Sequence, residues 1–241
     1  MDAKKLMIDT IMILAAGYGS RMRHLVENQP KCLIQILDKP ILHYVLEFTC
    51  NHSFQKIIIN THYLHDQITD AVNRFKKEYK PKAEIIIIHE PELLETGGAI
   101  KNAINLLGAA PIFTLNSDVI IKSETNLFQE MQDNWNQEKM DFLLLLQPFE
   151  ESIGYRGHGD FEIAADGKLY RPDTEKNYSY MYTGLSILKP ELINKNPLKI
   201  FSLKEYYLNS DKVFGISVPS TKWYHATRPE DIVDIEFALM V

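Results

Sequence analysis

Hydrophobic positions along the first 147 residues alternate between two kinds of pattern. Uninterrupted apolar runs such as Ile57-Ile58-Ile59 predict strands that are covered on both faces, whereas Ile68, Val72 and Phe75 recur at helical spacing. The predicted strands are 11–15, 56–60, 84–88, 111–115 and 141–146, and the predicted helices are 40–50, 64–79, 100–107 and 124–138. This alternation predicts a doubly wound α/β fold with a mostly parallel sheet and right-handed crossovers.

The pattern changes after Pro148, where the predicted elements become shorter. Residues 161–163 and 168–170 flank Asp166-Gly167, a pair typical of a tight β-hairpin. Further strands are predicted at 180–188 and 213–218, and helices near 190–194, at 201–208 and from 229 to the end. Because neither a linker nor a repeat separates the halves, we predict one domain, 1–241, made of an 11–147 half and a 148–241 half.

Composition narrows the class of protein. A hydrophobic content of 45% and a charged content of 24% are ordinary for a soluble globular chain. The net charge of −6 gives no general attraction to nucleic acid or to an anionic membrane, so neither is expected as a partner. No apolar run is long enough to cross a bilayer, and the first ten residues are too short and too polar for a secretory signal. The two cysteines match no disulfide or zinc pattern, which favours a reducing cytoplasm.

The most informative stretch follows the first predicted strand, where an apolar run breaks into glycines and then into cations. In order it contains Leu14, Ala15, Ala16, Gly17, Gly19, Arg21, Arg23 and, after Pro30, Lys31. Glycines remove side chains, so several backbone N–H groups can converge on phosphate oxygens. The arginines and the lysine would supply the countercharge. We therefore predict a nucleoside triphosphate site in this loop.

Two further stretches reach the same edge of the predicted sheet, because ligands of open α/β sheets bind beyond the carboxyl ends of the strands. One is the glycine-containing loop 94–99 after the third strand, and the other is Asn116-Ser117-Asp118 after the fourth. An acidic side chain opposite a basic, glycine-rich loop is the expected arrangement for a divalent cation that bridges phosphates. Asp118 is therefore the predicted ligand of Mg²⁺.

These residues together resemble the signature of the sugar-1-phosphate nucleotidyltransferases. The resemblance rests on Leu14-Ala15-Ala16-Gly17-x-Gly19-x-Arg21-Met22-Arg23 followed by Pro30-Lys31, and it extends from about residue 11 to the final helix. The stretch lacks both the Gly-Lys-Ser/Thr ending of a P-loop and the third glycine of the dinucleotide fingerprint. The resemblance implies a Rossmann-like nucleotidyltransferase fold with a small β-rich sugar-binding portion in the second half.

Within that family, the chain is most similar to the short bacterial N-acetylmuramate-1-phosphate uridylyltransferases. This similarity is carried by Leu93-Leu94-Glu95-Thr96-Gly97-Gly98, Asn116-Ser117-Asp118, Gly159-Asp160-Phe161 and Thr183-Gly184-Leu185. It implies UTP and N-acetylmuramate 1-phosphate as substrates, in a reaction of peptidoglycan recycling that releases pyrophosphate.

The resemblance also implies a role for each matching residue. The implied nucleotide-binding residues are Leu14, Ala15, Ala16, Gly17, Gly19, Arg21, Lys31, Glu90, Thr96 and Gly97. Arg21, Lys31 and Asp118 would be the catalytic residues, with the two cations stabilising charge as pyrophosphate leaves. The implied sugar-phosphate site consists of Asn116, Asp160, Thr183 and Gly184.

One departure from the family pattern concerns the metal. The family carries a second metal carboxylate in Trp-x-Asp-Val-Gly-Thr, where this chain reads Trp223-Tyr224-His225-Ala226-Thr227. Imidazole is a poor ligand for Mg²⁺ but an acceptable one for Mn²⁺ or Zn²⁺. We hypothesise a functional but altered metal site at Asp118 and His225, with Mg²⁺ as the expected cofactor and Mn²⁺ as the alternative.

Several functions remain open at this level. The substrates could instead be mannose or glucose 1-phosphate with GTP or dTTP, or phosphocholine with CTP. Because His225 replaces a carboxylate, the chain could also be a weak or catalytically silent protein that binds a nucleotide sugar. No motif specifies an oligomer, and a monomer is compatible with the pattern.

Three local patterns carry alternatives of their own. His62 and His65 have the spacing of a metal-ligand pair, but no third ligand lies near them in the sequence. Tyr178, Tyr180 and Tyr182 alternate along one strand face and could pack in the core or form a wall for a sugar. Cys32 is either a reactive thiol or a small filler residue.

Overall fold

The structure is a computed structural model that describes residues 7–172 and 177–240, without the side chain of Arg23. The strands are β1 (Thr10–Leu14), β2 (Gln35–Ile36), β3 (Lys39–Pro40), β4 (Lys56–Thr61), β5 (Glu84–His89), β6 (Ile112–Asn116), β7 (Val119–Lys122), β8 (Phe142–Pro148), β9 (Glu162–Ile163), β10 (Leu169–Tyr170), β11 (Tyr180–Leu188), β12 (Val213–Ser217) and β13 (Lys222–His225).

The helices are α1 (Ile41–Cys50), α2 (His65–Tyr79), α3 (Glu95–Asn102), α4 (Ile104–Leu107), α5 (Leu127–Asn134), α6 (Pro190–Asn194), α7 (Lys204–Asn209) and α8 (Pro229–Met240), with 3₁₀ turns at Ser20–Val26, Lys31–Leu33 and Phe149–Glu151. Among the described residues, no helix combines the length and the apolar character needed to cross a bilayer. The first six residues, the last residue of the predicted final helix and the predicted phosphate contact of the Arg23 side chain lie outside the described part.

Seven strands of the described chain form the central sheet, in the order β12-β8-β11-β6-β1-β4-β5. All neighbours in this sheet are parallel except β11, which runs antiparallel to β6 and to β8. The predicted α/β fold with a mostly parallel sheet is therefore confirmed. Because β11 runs in the reverse direction, its first residues lie at the edge where β1, β4 and β6 end.

Both faces of the sheet are covered, as the uninterrupted apolar runs predict. Ile57 and Ile59 belong to one buried cluster and Ile58 to another, and all three are fully buried. The first cluster also contains residues of α1, α2 and α5, and the second contains residues of α3, α4, α6 and α7. Since successive side chains of a strand point to opposite faces, an isoleucine run is needed wherever helices cover both sides.

Two predicted helices differ from the structure at their ends. The helix predicted at 124–138 is shorter, because the side chain of Asn126 accepts a hydrogen bond from Gln129 N at 3.2 Å and starts α5 at Leu127. The helix predicted at 100–107 begins earlier, at Glu95, and divides at Ala103 into α3 and α4. The predicted hairpin is present as β9 and β10, with Gly167 in its turn.

An antiparallel ribbon of β7 and β13 was not predicted. Each strand has four residues, and the partners lie about a hundred positions apart, as in the pairing of Lys122 with Lys222. The register places His225 opposite Val119, the residue after Asp118. The ribbon therefore carries the end of the chain to the edge of the sheet where β6 ends.

Helix α8 carries a fully buried carboxylate, Asp231, in its first turn. This carboxylate bonds to the short segment that joins the ribbon to the helix. Its Oδ2 accepts hydrogen bonds from Thr227 N at 2.9 Å, Thr227 Oγ1 at 2.7 Å and Arg228 N at 2.8 Å. Its Oδ1 accepts from the Arg156 guanidinium at 3.0 Å. Burial by itself raises the pKa of Asp231, but the hydrogen bonds from Thr227 and Arg156 outweigh it and lower the pKa below its usual value.

We expect Asp231→Asn to lower the free energy of unfolding at neutral pH by about 2 kcal/mol, because the amide nitrogen that replaces one carboxylate oxygen cannot accept a hydrogen bond from either the backbone N–H groups before α8 or the Arg156 guanidinium. Since the folded-state pKa lies below the unfolded one, this stability is present above about pH 4 and is lost as the pH falls further. The difference in stability between the two proteins, measured by urea unfolding, should therefore shrink as the pH falls below about 4. Arg156→Met keeps the cap and should cost less. Equal stability of Asp231→Asn and wild type at neutral pH would contradict this role.

Candidate active site

Two adjoining cavities open at the edge of the sheet where the parallel strands end. The first cavity has a volume of about 430 Å³ and lies beside the glycine-containing loop after β1. The second cavity, of about 230 Å³, lies beside Asp160 and α7. Both are lined by Leu14, Thr96, Asn116 and Ser202. A pair of joined cavities can hold two ligands in contact with each other.

The structure gathers most of the predicted site residues around the first cavity. Its lining includes Leu14, Ala15, Ala16, Gly17, Gly19, Arg21, Lys31, Thr96, Asn116 and Asp118. These residues come from separate segments of the chain. They meet because β1 and β6 end at the same edge of the sheet and α3 begins there. Sequence analysis did not name Ser20, Asn60 and Ser202, which also line this cavity.

The loop after β1 presents unoccupied donors to the first cavity. Gly19 has φ +65°, and a Cβ there would lie 2.6 Å from Lys31 Cβ, so glycine is required for both conformation and space. Within the described chain, no hydrogen bond uses the N–H groups of Gly17, Tyr18 and Gly19. Arg21 is exposed and has no ion-pair partner among the described residues. The loop can therefore bind an anion with backbone donors and a guanidinium.

Asn60, at the end of β4, holds this loop in place. Its Oδ1 accepts a hydrogen bond from Ala15 N at 3.0 Å, and its Nδ2 donates to Glu90 Oε1 at 2.8 Å. Glu90 is fully buried behind the cavity, does not line it, and has its pKa raised by burial. Glu90 thus supports the loop through Asn60. The one sequence signal for Asn60 is a polar residue that ends a run of isoleucines.

A charged cluster contributes Lys31 and Asp118 to the lining of the first cavity. Lys31 Nζ lies 2.6 Å from Asp118 Oδ2, and His225 Nε2 lies 3.2 Å from the same oxygen. Burial raises the pKa of Asp118, but Lys31 and His225 outweigh it and hold the pKa well below its usual range. Asp118 is therefore a carboxylate at any physiological pH.

The other oxygen of Asp118 is the observation that bears on a metal. Asp118 Oδ1 is buried and has no hydrogen-bond partner among the described residues. A buried carboxylate oxygen without a partner is costly unless a ligand compensates it, and hard cations prefer such oxygens. The described residues contain no group of three or more His, Cys, Asp or Glu side chains that could hold a metal. A divalent cation fits here if Asp118 binds it together with oxygens of a bound ligand, with His225 adjacent.

The second cavity combines one carboxylate with aromatic and basic side chains. Asp160 Oδ2 accepts hydrogen bonds from Tyr182 N at 2.9 Å and from Tyr155 OH at 3.4 Å. The remaining lining includes Phe161, Arg171, Tyr182, Leu203, Lys204, Tyr207 and Leu208. Sequence analysis named Asp160 but not Arg171 or Lys204, because a single exposed cation outside a motif carries no signal.

Gly184 and Thr183 support the junction of the cavities without lining either one. Gly184 has φ +89°, and a Cβ there would lie 2.8 Å from Asn116 Nδ2. Thr183 is buried, donates to Leu145 O at 2.9 Å and accepts from Trp223 Nε1 at 2.8 Å through its carbonyl oxygen. The conformation at Gly184 therefore leaves room for Asn116, which lines both cavities.

Gly97 also supports the site without lining either cavity. Its N–H donates to Phe201 O at 2.9 Å, and a Cβ there would lie 2.3 Å from the Phe201 ring. This close approach packs the start of α3 against the segment that carries Ser202 and Lys204 to the cavities.

The contacts of His62, His65 and Cys32 bear on the roles that the sequence left open for these side chains. His62 bonds to Tyr18 OH at 2.8 Å and to Glu90 O at 2.7 Å, and His65 Nδ1 bonds to Thr61 Oγ1 at 2.7 Å, so these histidines have separate protein partners. Burial raises the pKa of Cys32 to about 12, which makes it a filler residue and not a reactive thiol.

The three alternating tyrosines divide between the two roles that the sequence left open. Tyr180 and Tyr182 both pack against the second buried cluster of the core, and Tyr182 also lines the second cavity. Tyr178 lies beneath the guanidinium of Arg171.

Comparisons with known proteins bear on the family and the fold of this chain. The family model described as "Nucleotidyl transferase" matches residues 10–217. The N-acetylmuramate alpha-1-phosphate uridylyltransferase of Caulobacter vibrioides is 33% identical over 91% of this chain and 92% of its own length. The enzyme of the same name from Neisseria meningitidis serogroup B is 30% identical over 76% of each chain. The solved structure of HddC from Yersinia pseudotuberculosis complexed with GMP-PN superposes with a TM-score of 0.78 at 23% identity, over 96% of this chain and 100% of that one.

We expect His225→Asp to raise the affinity for Mg²⁺ relative to Mn²⁺ by about tenfold, because it places a second carboxylate beside Asp118. Electron paramagnetic resonance of Mn²⁺, with Mg²⁺ as competitor, measures both affinities. His225→Asn is the matched control, since it removes the imidazole without adding a charge. An unchanged Mg²⁺ to Mn²⁺ preference in all three proteins would show that position 225 takes no part in metal binding.

Proposed function

Because the chain belongs to the nucleotidyl transferase family, we propose that it transfers a uridylyl group from UTP to N-acetylmuramate 1-phosphate and releases pyrophosphate. The observation that carries this proposal is the meeting of the two cavities at Asn116. One cavity offers backbone donors, Arg21 and Lys31 to a triphosphate. The other offers Asp160 and aromatic side chains to a sugar, as expected for a donor and an acceptor that react with each other.

The choice of substrates rests on the relatives. Two proteins named as uridylyltransferases of N-acetylmuramate 1-phosphate are 33% and 30% identical to this chain, and the first matches nearly its whole length. The similarity to the first of these proteins therefore includes both halves of the chain. We assign UTP and N-acetylmuramate 1-phosphate to this chain on that basis, ahead of the other pairs that the sequence leaves open.

The proposed reaction forms one bond and breaks one. An oxygen of the sugar phosphate attacks the α-phosphorus of UTP in line, and the bond from that phosphorus to the β-phosphate oxygen breaks. The attacking phosphate is already ionised at neutral pH, so positioning and charge stabilisation are what the protein must supply. Arg21 and Lys31 would stabilise the departing pyrophosphate, and Asn116 would orient both substrates. A divalent cation at Asp118, when bound, neutralises phosphate charge.

We propose that the two halves of the chain divide this work. Apart from Ser202, the residues that line the first cavity all come from 11–147. The second cavity takes most of its lining from 148–241. The first half would then bind the nucleotide and the second half the sugar phosphate. A cytoplasmic location, which the free Cys32 and Cys50 favour, is part of the same proposal.

Pyrophosphate release measured over a panel of substrates tests this proposal. The panel pairs UTP, GTP, dTTP and CTP with N-acetylmuramate 1-phosphate, mannose 1-phosphate, glucose 1-phosphate and phosphocholine, each with Mg²⁺ and with Mn²⁺. We expect the highest kcat/KM for UTP with N-acetylmuramate 1-phosphate. Asp118→Asn should lower kcat about a hundredfold or more, because it removes the carboxylate that faces the phosphates.

The other outcomes are equally definite. A different preferred pair would reassign the substrates within the same reaction class. Nucleotide binding without pyrophosphate release from any pair would identify a silent binding protein and overturn the proposal.

Gly184→Ala tests the positioning of Asn116. We expect it to lower kcat/KM about tenfold or more, because the added Cβ displaces the Asn116 side chain. Gly167→Ala is the matched control: its φ of +86° is similar, but a Cβ there would have its nearest neighbour 3.7 Å away. Both variants should lose about 1 kcal/mol of stability from backbone strain. Equal activity of the two variants, measured as pyrophosphate release, would remove Asn116 from the proposed mechanism.

A further inference from the structure

We propose that the second cavity selects a sugar 1-phosphate with a second anionic group, and that Arg171 and Lys204 bind this group as a carboxylate. The inference rests on the proposed function, since it concerns the acceptor of that reaction. It assigns a specificity role to two residues outside the motifs that carry the family resemblance.

The two cations reach the cavity from different parts of the chain. Arg171 follows β10, and Lys204 is the first residue of α7. Both side chains are exposed, and neither has an ion-pair partner among the described residues. The Arg171 guanidinium carbon lies 4.7 Å above the centroid of the Tyr178 ring, so a cation–π contact orients it.

Among the described residues, the charged side chains that line this cavity are unbalanced. Asp160 is the one acidic side chain among the described residues that line it, against two basic ones. Asp160 Oδ2 is already committed to Tyr182 N and to Tyr155 OH, at 2.9 Å and 3.4 Å. A neutral sugar needs polar groups for its hydroxyls but no pair of free cations. The excess positive charge therefore indicates a negatively charged ligand.

The phosphate of the acceptor does not account for these cations. In the proposed reaction this phosphate attacks the nucleotide, so it must lie at the junction of the cavities near Asn116. Arg171 and Lys204 line the second cavity and not the first, so they remain for the part of the sugar that points away from the junction.

The proposed substrate carries such a group. N-acetylmuramate differs from N-acetylglucosamine by an ether-linked chain that ends in a carboxylate. The planar guanidinium of Arg171 can bind a carboxylate through two parallel hydrogen bonds, and the Lys204 ammonium can add a third. Phe161, Leu203 and Tyr207 provide apolar surface for the methyl groups of the same molecule.

The two sugar phosphates that differ by this carboxylate provide the test. N-acetylmuramate 1-phosphate and N-acetylglucosamine 1-phosphate are compared as acceptors, with UTP saturating, for wild type, Arg171→Met, Lys204→Met and the double variant. We expect each single substitution to raise KM for the acid about tenfold and the double variant about a hundredfold, with little change for the neutral sugar. KM for UTP should not change.

Lys195→Met is the matched control, because Lys195 is an exposed lysine at the end of α6 that lines neither cavity. It should behave as wild type. Equal losses with both sugars in the Arg171 and Lys204 variants would show that these cations serve the shared phosphate, and would overturn the proposal. A wild type without preference for the acid would overturn it as well.

Calorimetric binding of the two sugar phosphates without nucleotide separates this inference from the proposed reaction. Preferential binding of the acid that depends on Arg171 and Lys204 supports the inference even if no pyrophosphate is released. Turnover without any preference for the acid leaves the reaction class intact and removes the inference.

Discussion

Strand β11 runs antiparallel between two parallel neighbours, and the arrangement of both cavities depends on that reversal. It pairs with β6 on one side and β8 on the other, so its first residues lie where β6 ends. Gly184 then lies against Asn116, and Tyr182 N reaches Asp160. A parallel strand in this place would carry the same residues to the opposite edge of the sheet. The reversal therefore joins the two halves of the chain at one site.

The first cavity contains polar groups that have no hydrogen-bond partner among the described residues, and a bound ligand can supply those partners. Lys31 and His225 both contact one oxygen of Asp118, while the other oxygen is buried without a partner among the described residues. In the same cavity, the backbone N–H groups of Gly17, Tyr18 and Gly19 have no acceptor within the described chain. Unpaired donors and an unpaired carboxylate oxygen in one cavity are unfavourable without a ligand and favourable when phosphates and a cation bind there.

The central sheet serves as a scaffold, whereas the residues that line the cavities are the ones that can set substrate specificity. A protein with 23% identity shares the fold over nearly its whole length, so the sheet with its loops is a scaffold that tolerates extensive substitution. Two residues that line the second cavity lie outside the central sheet: Arg171 follows β10, and Lys204 begins the short helix α7. Substitution of Arg171 or Lys204 would not disturb the central sheet. Substrate specificity can therefore vary at these positions at small cost in stability.

Much of this protein is determined within short stretches of its sequence. Isoleucine runs require strands buried on both faces, and Gly19 meets a local demand for a positive φ, so the sheet and the anion-binding loop could be predicted. The pairing of β7 with β13, the support of Ala15 by Asn60 and the lining of one cavity by both Arg171 and Lys204 could not. These contacts join residues far apart in the chain and leave no periodic pattern, because they depend on which segments the folded core brings together. The sequence alone determined most of the elements of the central sheet and the glycine-rich, cationic character of one loop; tertiary structure decided what surrounds that loop.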